Sequence, residues 1–281
     1  MIIMLTELHC HSIYSKGRKI FVEAINSPEE MLKQAKRNNT EAISITDHDT
    51  IKGSLEAKKY AKKYDILVIP GEEISSKDGD ILALGIEETI KPTLSAEETI
   101  DIIHTQGGIA ISAHPFDLRR FGLGNKAVIC DAIEVFNAQN IERISNWKAR
   151  RLVDRHNMPV TAGSDAHSAA MLGKGLNNIK SEKDIDSVLK AIKKGRNELI
   201  TRYIKISEIR EWSVIRLKYS FEQTRYYINQ NYKWPKRELS LAMLNQVKKS
   251  PGKIDYALNA LAYFGIGCAV TYRVFREVLN I

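Results

Sequence analysis

The chain has 281 residues, 43% hydrophobic and 27% charged, which is ordinary for a soluble globular protein and long enough for one large α/β domain or a domain plus an extension. Three cysteines, an odd number with no CxxC pair, argue against a disulfide framework and for a reducing, cytoplasmic setting. The net charge of +8 has one source: residues 200–281 carry 14 Lys/Arg against 6 Asp/Glu and hold 13 of the 21 aromatic residues, whereas residues 1–199 balance 28 against 28.

The N-terminal "MIIMLTELHC" has no basic n-region and no long apolar run, so it reads as a buried strand and not as a signal peptide. Short apolar runs follow: "MLTEL" (4–8), "AISIT" (42–46), "ILVIP" (66–70), "ILALG" (81–85), "IAISA" (109–113), "AIEVF" (132–136) and "PVTAG" (159–163). They are rich in Ile, Val, Ala and Leu without strict alternation, as expected of parallel strands covered on both faces. Helical patterns fall between many of them. "SPEEMLKQAKRN" has Ser27 as N-cap, Pro28 at the first helical position and Glu30 completing a capping box, and "SAEETIDIIHTQGG" repeats the device with Ser95 and Glu98. "GSLEAKKYAKKY" and "ERISNWKARRLVDRH" are amphipathic. About seven βα-type units in a row predict an α/β fold with a parallel sheet closed as a barrel over residues 1–200.

Beyond residue 200 the pattern changes to three helices, separated at Trp234-Pro235 and at Ser250-Pro251-Gly252. Residues 201–281 are therefore expected to form a basic, aromatic-rich helical extension. Its last stretch is the most apolar in the chain. Asp255, Asn259, two glycines and Arg273 interrupt it, which favours a helix packed on the barrel or on a second subunit over a membrane span.

Side chains that can hold metal recur at strand ends. His9 and His11 stand two apart on the first strand, so they point to one face, while Cys10 between them faces the core. "TDHDT" brings Asp47, His48 and Asp49; "PGEEIS" brings Glu72 and Glu73; "AHP" brings His114; "GSDAH" brings Asp165 and His167. The remaining histidines, His104 and His156, lie in helical patterns and read as surface or packing residues. In an α/β barrel the C-terminal strand ends converge on one face, so residues dispersed in sequence become neighbours. Imidazoles and carboxylates without thiolates suit Zn²⁺, Mn²⁺ or Fe²⁺, and this many ligands imply two or three divalent ions.

In this order and spacing, "ELHCHS", "ITDHDT", "IPGEEIS", "AHPF" and "GSDAH" resemble the PHP (polymerase and histidinol phosphatase) superfamily of metal-dependent phosphoesterases, over roughly residues 4–200. The resemblance implies a distorted seven-stranded (β/α) barrel with a two- or three-metal centre. It implies metal-ligand roles for His9, His11, His48, Glu73, His114, Asp165 and His167, with Glu73 bridging two ions. Two departures stand out. The loop after the HxH pair usually supplies Asp or His, and here "YSKGRK" puts Lys16 near that place, leaving the third site one ligand short. Where many relatives have a His after the glutamate motif, "DGDILALG" has Asp80, either a replacement ligand or the start of a turn.

The expected activity is hydrolysis of a phosphate ester by a metal-bridging hydroxide, the substrate being a phosphorylated small molecule or a nucleotide. Arg119 and Arg120, directly after "AHPFDL", are candidate phosphate-binding residues; Lys16 and Arg18 could add charge; Asp47 is expected to orient a ligand histidine. The alternative is a catalytically weakened barrel acting as a nucleic-acid-binding or regulatory protein. An amidohydrolase-like barrel also opens with HxH, but "TDHDT" with "PGEEIS" argues against it. Interleaved cations and aromatics in "RLKYSFEQTRYYINQNYKWPKR" make nucleic acid a candidate partner of the extension, in which case its removal should leave hydrolysis of a small phosphoester intact. Substrate and oligomeric state stay open at this level.

Overall fold

The computed structural model of the chain describes residues 2–17, 20–119 and 121–279, with side chains to residue 275. Each apolar run contains a strand: β1 (Ile2–Glu7), β2 (Ala42–Ile43), β3 (Leu67–Val68), β5 (Asp80–Leu84), β6 (Ile109–Ser112), β7 (Ala132–Asn137) and β8 (Val160–Gly163). Three more join them: β4 (Gly71–Ser75), β9 (Gly175–Ser181) and β10 (Asn197–Thr201).

The strands form two five-stranded sheets, in the orders β10-β9-β1-β2-β3 and β4-β5-β6-β7-β8. Parallel pairing links β1, β2 and β3, and again β6, β7 and β8; the pairs β1/β9, β9/β10, β4/β5 and β5/β6 are antiparallel. The expected parallel, closed seven-stranded barrel is thus corrected to a mixed α/β fold, and no ladder among the described residues closes the sheets into a ring. One reason is local. Only residues 76–79 join β4 to β5, enough for a hairpin but too few for a parallel crossover. Two isolated parallel bridges, Cys10 with Ala166 and His48 with Glu73, connect the sheets at the ends of β1, β2 and β8.

The capping boxes form as read: Ser27 with Glu30 opens α1 (Pro28–Arg37), and Ser95 with Glu98 opens α4 (Ala96–Thr105). The lysine-rich run after β2 splits into α2 (Lys52–Lys58) and α3 (Ala61–Tyr64); α5 (Ile144–His156) and α6 (Ile185–Lys193) complete the set. Met31, Leu32 and Ala35 of α1 pack on Ile43, Ile45 and Phe136, and Cys10 is wholly buried in the same cluster.

The extension has four α-helices where three were expected: α7 (Ile206–Tyr219), α8 (Phe221–Asn231), α9 (Lys236–Gln246) and α10 (Ile254–Leu279). The long first run breaks at Ser220, whose Oγ turns back to donate to the Arg216 carbonyl at 2.7 Å. Phe221, Ile228 and Leu244 form a small core between α8 and α9. α10 is held to the rest by an Arg210–Asp255 ion pair at 3.3 Å and by Arg273 donating to the Phe116 carbonyl at 2.7 Å. Residues Ile254–Phe275 are long and apolar enough to cross a membrane by length and composition, and Tyr256, Phe264 and Phe275 are exposed.

Candidate metal centre

The strand ends deliver their side chains to one place. His9 and His11 follow β1, and the chain there runs beside the segment after β8: Asp165 N–H donates to the His9 carbonyl at 2.8 Å and His11 N–H to the Ala166 carbonyl at 2.9 Å. Glu73 lies in β4, His48 follows β2, His114 follows β6 and His167 follows β8. His114 (φ 26°) and Asp165 (φ 49°) adopt the left-handed backbone region, uncommon for residues with a Cβ and frequent where a site dictates direction.

Glu73 stands among four imidazoles. Its Oε2 is 3.3 Å from His9 Nε2, 3.3 Å from His11 Nε2 and 3.3 Å from His48 Nδ1, and its Oε1 is 2.9 Å from His114 Nε2. Asp165 Oδ1 lies 3.3 Å from His11 Nε2 and 3.6 Å from His9 Nε2, and the two Nε2 atoms are 3.2 Å apart. Zinc bonded tetrahedrally at about 2.0–2.1 Å requires ligand atoms about 3.3–3.4 Å apart. The edges among His9, His11 and Glu73, and those from Asp165 to the two histidines, are close to that length, so Glu73 and Asp165 flank a histidine pair spaced as ligands of a divalent ion. The ion-pair partners of Glu73 and Asp165 among the described residues are all imidazoles. Burial opposes their ionisation, yet the surrounding histidines hold both carboxyls well below the usual range. A buried anionic pair faced by imidazoles is a setting that favours cations.

Further groupings surround this one. Donor atoms of His11, His48 and His167 lie within 4.8 Å of one another, as do those of His9, His114 and Asp165, and those of Glu73, Asp80 and His114. Asp80 therefore opens β5 and also turns its carboxylate to the cluster. Glu72 points elsewhere: its Oε1 accepts from Ile90 N–H at 2.6 Å. Asp47 bonds no histidine ring among the described residues. Its oxygens accept from the backbone and hydroxyl of Ser12 at 2.5 and 2.7 Å, which pins the turn behind His11 instead of orienting a ring.

The ring-orienting partners escape a reading of strand ends. Glu134, in the middle of β7, accepts from His9 Nδ1–H at 2.9 Å and from His114 N–H at 2.9 Å. Asn137, at the end of β7, donates to Asp165 Oδ2 at 3.1 Å, and Gln139 lies 2.7 Å from His167 Nδ1. A glutamate inside an otherwise apolar strand was the available signal. Glu23 is the largest omission. Its carboxylate approaches His48 Nε2 at 3.7 Å and His167 Nε2 at 3.8 Å, and it accepts from Ser15 Oγ at 2.9 Å. Burial would raise its pKa, but the imidazoles of His167 and His48 outweigh that and hold it low. The loop that lacks a carboxylate at Lys16 thus brings one beside His48 and His167 from seven residues downstream.

Lys16, Arg119, Phe121, Trp212 and Arg216 line the cavity of about 620 Å³ that opens onto Glu73, His114, Asp165 and His167. Arg119 is 58% exposed, with its Nε 3.4 Å from Asp117 Oδ2. Arg120 and Arg18 lie outside the described residues. Trp212 and Arg216 belong to α7, so the extension walls the site.

A family model described as PHP-associated matches residues 143–197. An uncharacterised protein of Methanocaldococcus jannaschii is 39% identical over 149 residues, covering 51% of this chain and 87% of that one. A phosphoribosyl 1,2-cyclic phosphate 1,2-diphosphodiesterase of Eggerthella lenta is 33% identical over 99 residues, 33% of this chain and 35% of that enzyme. Among solved structures, a two-domain protein from Bacteroides vulgatus described as containing a predicted PHP-like metal-dependent phosphoesterase shares the fold, with a TM-score of 0.58 and 16% identity over 75% of this chain and 69% of that one. With the motif order read in the sequence and its convergence on one buried cluster, these likenesses have one conclusion: the chain belongs to the PHP superfamily.

Proposed function

We propose that this chain hydrolyses a phosphate ester with two or three divalent ions. His9, His11, Glu73 and Asp165 would hold one, and the approach of both carboxylates to the paired His9 and His11 Nε2 atoms at 3.3–3.6 Å is the observation that carries the reading. His114, Asp80 and Glu73 would serve a second position, and His48, His167 and Glu23 a third. An all-nitrogen-and-oxygen donor set suits Zn²⁺, Mn²⁺ or Fe²⁺. Such ions, when bound, acidify water and neutralise charge on phosphoryl oxygens. Glu134 fixes the His9 ring so that Nε2 faces the cluster, and Arg119 offers its guanidinium to the substrate from the exposed side.

In this reading residues 1–200 supply the ligands and residues 201–281 close the site. The substrate is a phosphorylated small molecule or nucleotide; the Eggerthella lenta relative, named for action on a cyclic phosphodiester, supports that class. The weakened-barrel alternative rested on the missing loop carboxylate, and the Glu23 carboxylate beside His48 and His167 supports the active reading over it. The test is metal analysis of the purified protein combined with a screen of phosphometabolites, mononucleotides and short 5′-phosphorylated oligonucleotides after metal reconstitution. Turnover that depends on added metal is expected. A fully metal-loaded protein inert to every ester would overturn the reading.

A further inference from the structure

α7 departs from the role its sequence suggested. It carries one basic and one aromatic residue into the cavity above the metal cluster. Trp212 is nearly buried, with its ring 5.0 Å from that of His167, and its Nε1–H donates to the Glu23 carbonyl at 2.7 Å. One turn further on, the Arg216 guanidinium lies over the Trp212 ring at 4.5 Å. Stacking fixes the plane of a guanidinium and leaves its edge donors unused. Arg216 Nε is buried and has no hydrogen-bond partner among the described residues.

A second guanidinium, Arg119, faces the same cavity from the loop after β6, and Lys16 lies on its wall. Burial lowers the pKa of Arg216, the charge on Arg119 lowers it further, and Glu23 is the one carboxylate acting against them. Glu23 is committed to His48 and His167. Two like charges gathered beside a cluster of metal-type ligands, one with an unused buried donor, call for an anion with several acceptor oxygens.

We propose that Arg216 is a substrate-binding residue, gripping together with Arg119 the phosphoryl group of a metabolite- or mononucleotide-sized phosphate monoester. A volume of about 620 Å³ falls within the range of small-molecule sites. The proposal rests on the phosphoesterase reading but is separable from it, because anion binding is measured without turnover.

The experiment titrates inorganic phosphate into the full-length, metal-loaded protein by calorimetry, for the native chain and for Arg216→Ala and Arg216→Lys, with metal content measured for each. Losing charge-assisted hydrogen bonds at one guanidinium should weaken phosphate binding about 10–100-fold in Arg216→Ala, at unchanged metal content, and Arg216→Lys should recover part of it. Where an aryl phosphate is turned over, the same variant should raise KM more than it lowers kcat. Circular dichroism separates loss of binding from loss of fold, and Arg216→Lys, which keeps the charge, serves if the alanine variant misfolds. Equal phosphate affinity in the native and substituted folded proteins would overturn the proposal. Arg216-dependent phosphate binding in a protein that hydrolyses nothing would uphold it while removing the catalytic reading.

Discussion

The Trp212 indole N–H donates to the backbone carbonyl of Glu23 at 2.7 Å, joining residues 189 positions apart. This bond ties α7 to the loop that brings a carboxylate to His48 and His167. Trp212→Phe keeps an aromatic ring over His167 and removes the donor. The expected loss of stability is about 1–2 kcal/mol, the net value of one hydrogen bond plus the stranded carbonyl, read from urea unfolding of the two proteins. A difference indistinguishable from zero would mean that the bond contributes nothing.

Glu23→Gln preserves shape and removes charge. Bound metal per chain should fall by one equivalent, or by the occupancy of the weakest site, while the site built on His9 and His11 stays loaded. Lys16→Asp, which places a carboxylate near the usual loop position, should add no metal to a site already supplied by Glu23. Plasma mass spectrometry on dialysed protein reads both. An increase with Lys16→Asp would show that Glu23 does not fill the position.

His9→Ala together with His11→Ala removes the histidine pair that both Glu73 and Asp165 approach. Metal content and metal-dependent turnover should both collapse. Normal values for both would end the assignment.

Glu134 touches no ion in the proposed arrangement, yet it sets the His9 ring and the His114 backbone. Carboxylates that orient ligand histidines typically govern metal affinity by about 10–100-fold. Glu134→Gln should lower affinity by that order in a competition with a chromophoric chelator. Affinity equal to that of the native chain would reduce Glu134 to a packing residue.

Burial pushes the Cys130 thiol up to about 12, with the Asp131 charge adding to it, and holds the Cys10 thiol well above its usual range. Both therefore stay protonated at pH 8, whereas Cys268 is exposed. Ellman's reagent should titrate one thiol per native chain and three in denaturant. Fast reaction of more than one thiol in the folded protein would contradict these positions.

The cluster was legible because strand ends in an α/β fold are where polar residues interrupt apolar runs. His9, His11, His48, Glu73, His114, Asp165 and His167 all meet as the motif order implied. What stayed hidden has physical reasons. Glu23 lies in a loop with no periodicity to place it. Glu134 hides inside β7 because a buried carboxylate that bonds three groups looks, in sequence, like a polar residue on an exposed strand face. β9, "GLNNIKS", is not among the apolar runs, yet Asn177 is fully buried and its amide both donates to the Ala162 carbonyl and accepts from the Ala162 N–H, acting as an extra piece of backbone between strands. The antiparallel pairs depend on register between distant segments, which no local pattern encodes. The sequence marked α7 as part of a basic, aromatic-rich helical extension, and only tertiary contact shows that Trp212 and Arg216 turn toward the cavity.

Of the two bridges between the sheets, His48 with Glu73 joins two residues of the cluster, and Cys10 with Ala166 lies between His9 and His11 on one side and Asp165 and His167 on the other. Loading the site would therefore fasten a seam, and its occupancy would become a property of both sheets at once. Amide hydrogen exchange should report it: chelation should quicken exchange along β1, β4 and β8, far beyond the side chains that let go, while α8 and α9, held by their own small core, keep their pace. The metals would then act as a clasp for half the molecule as well as its reagents.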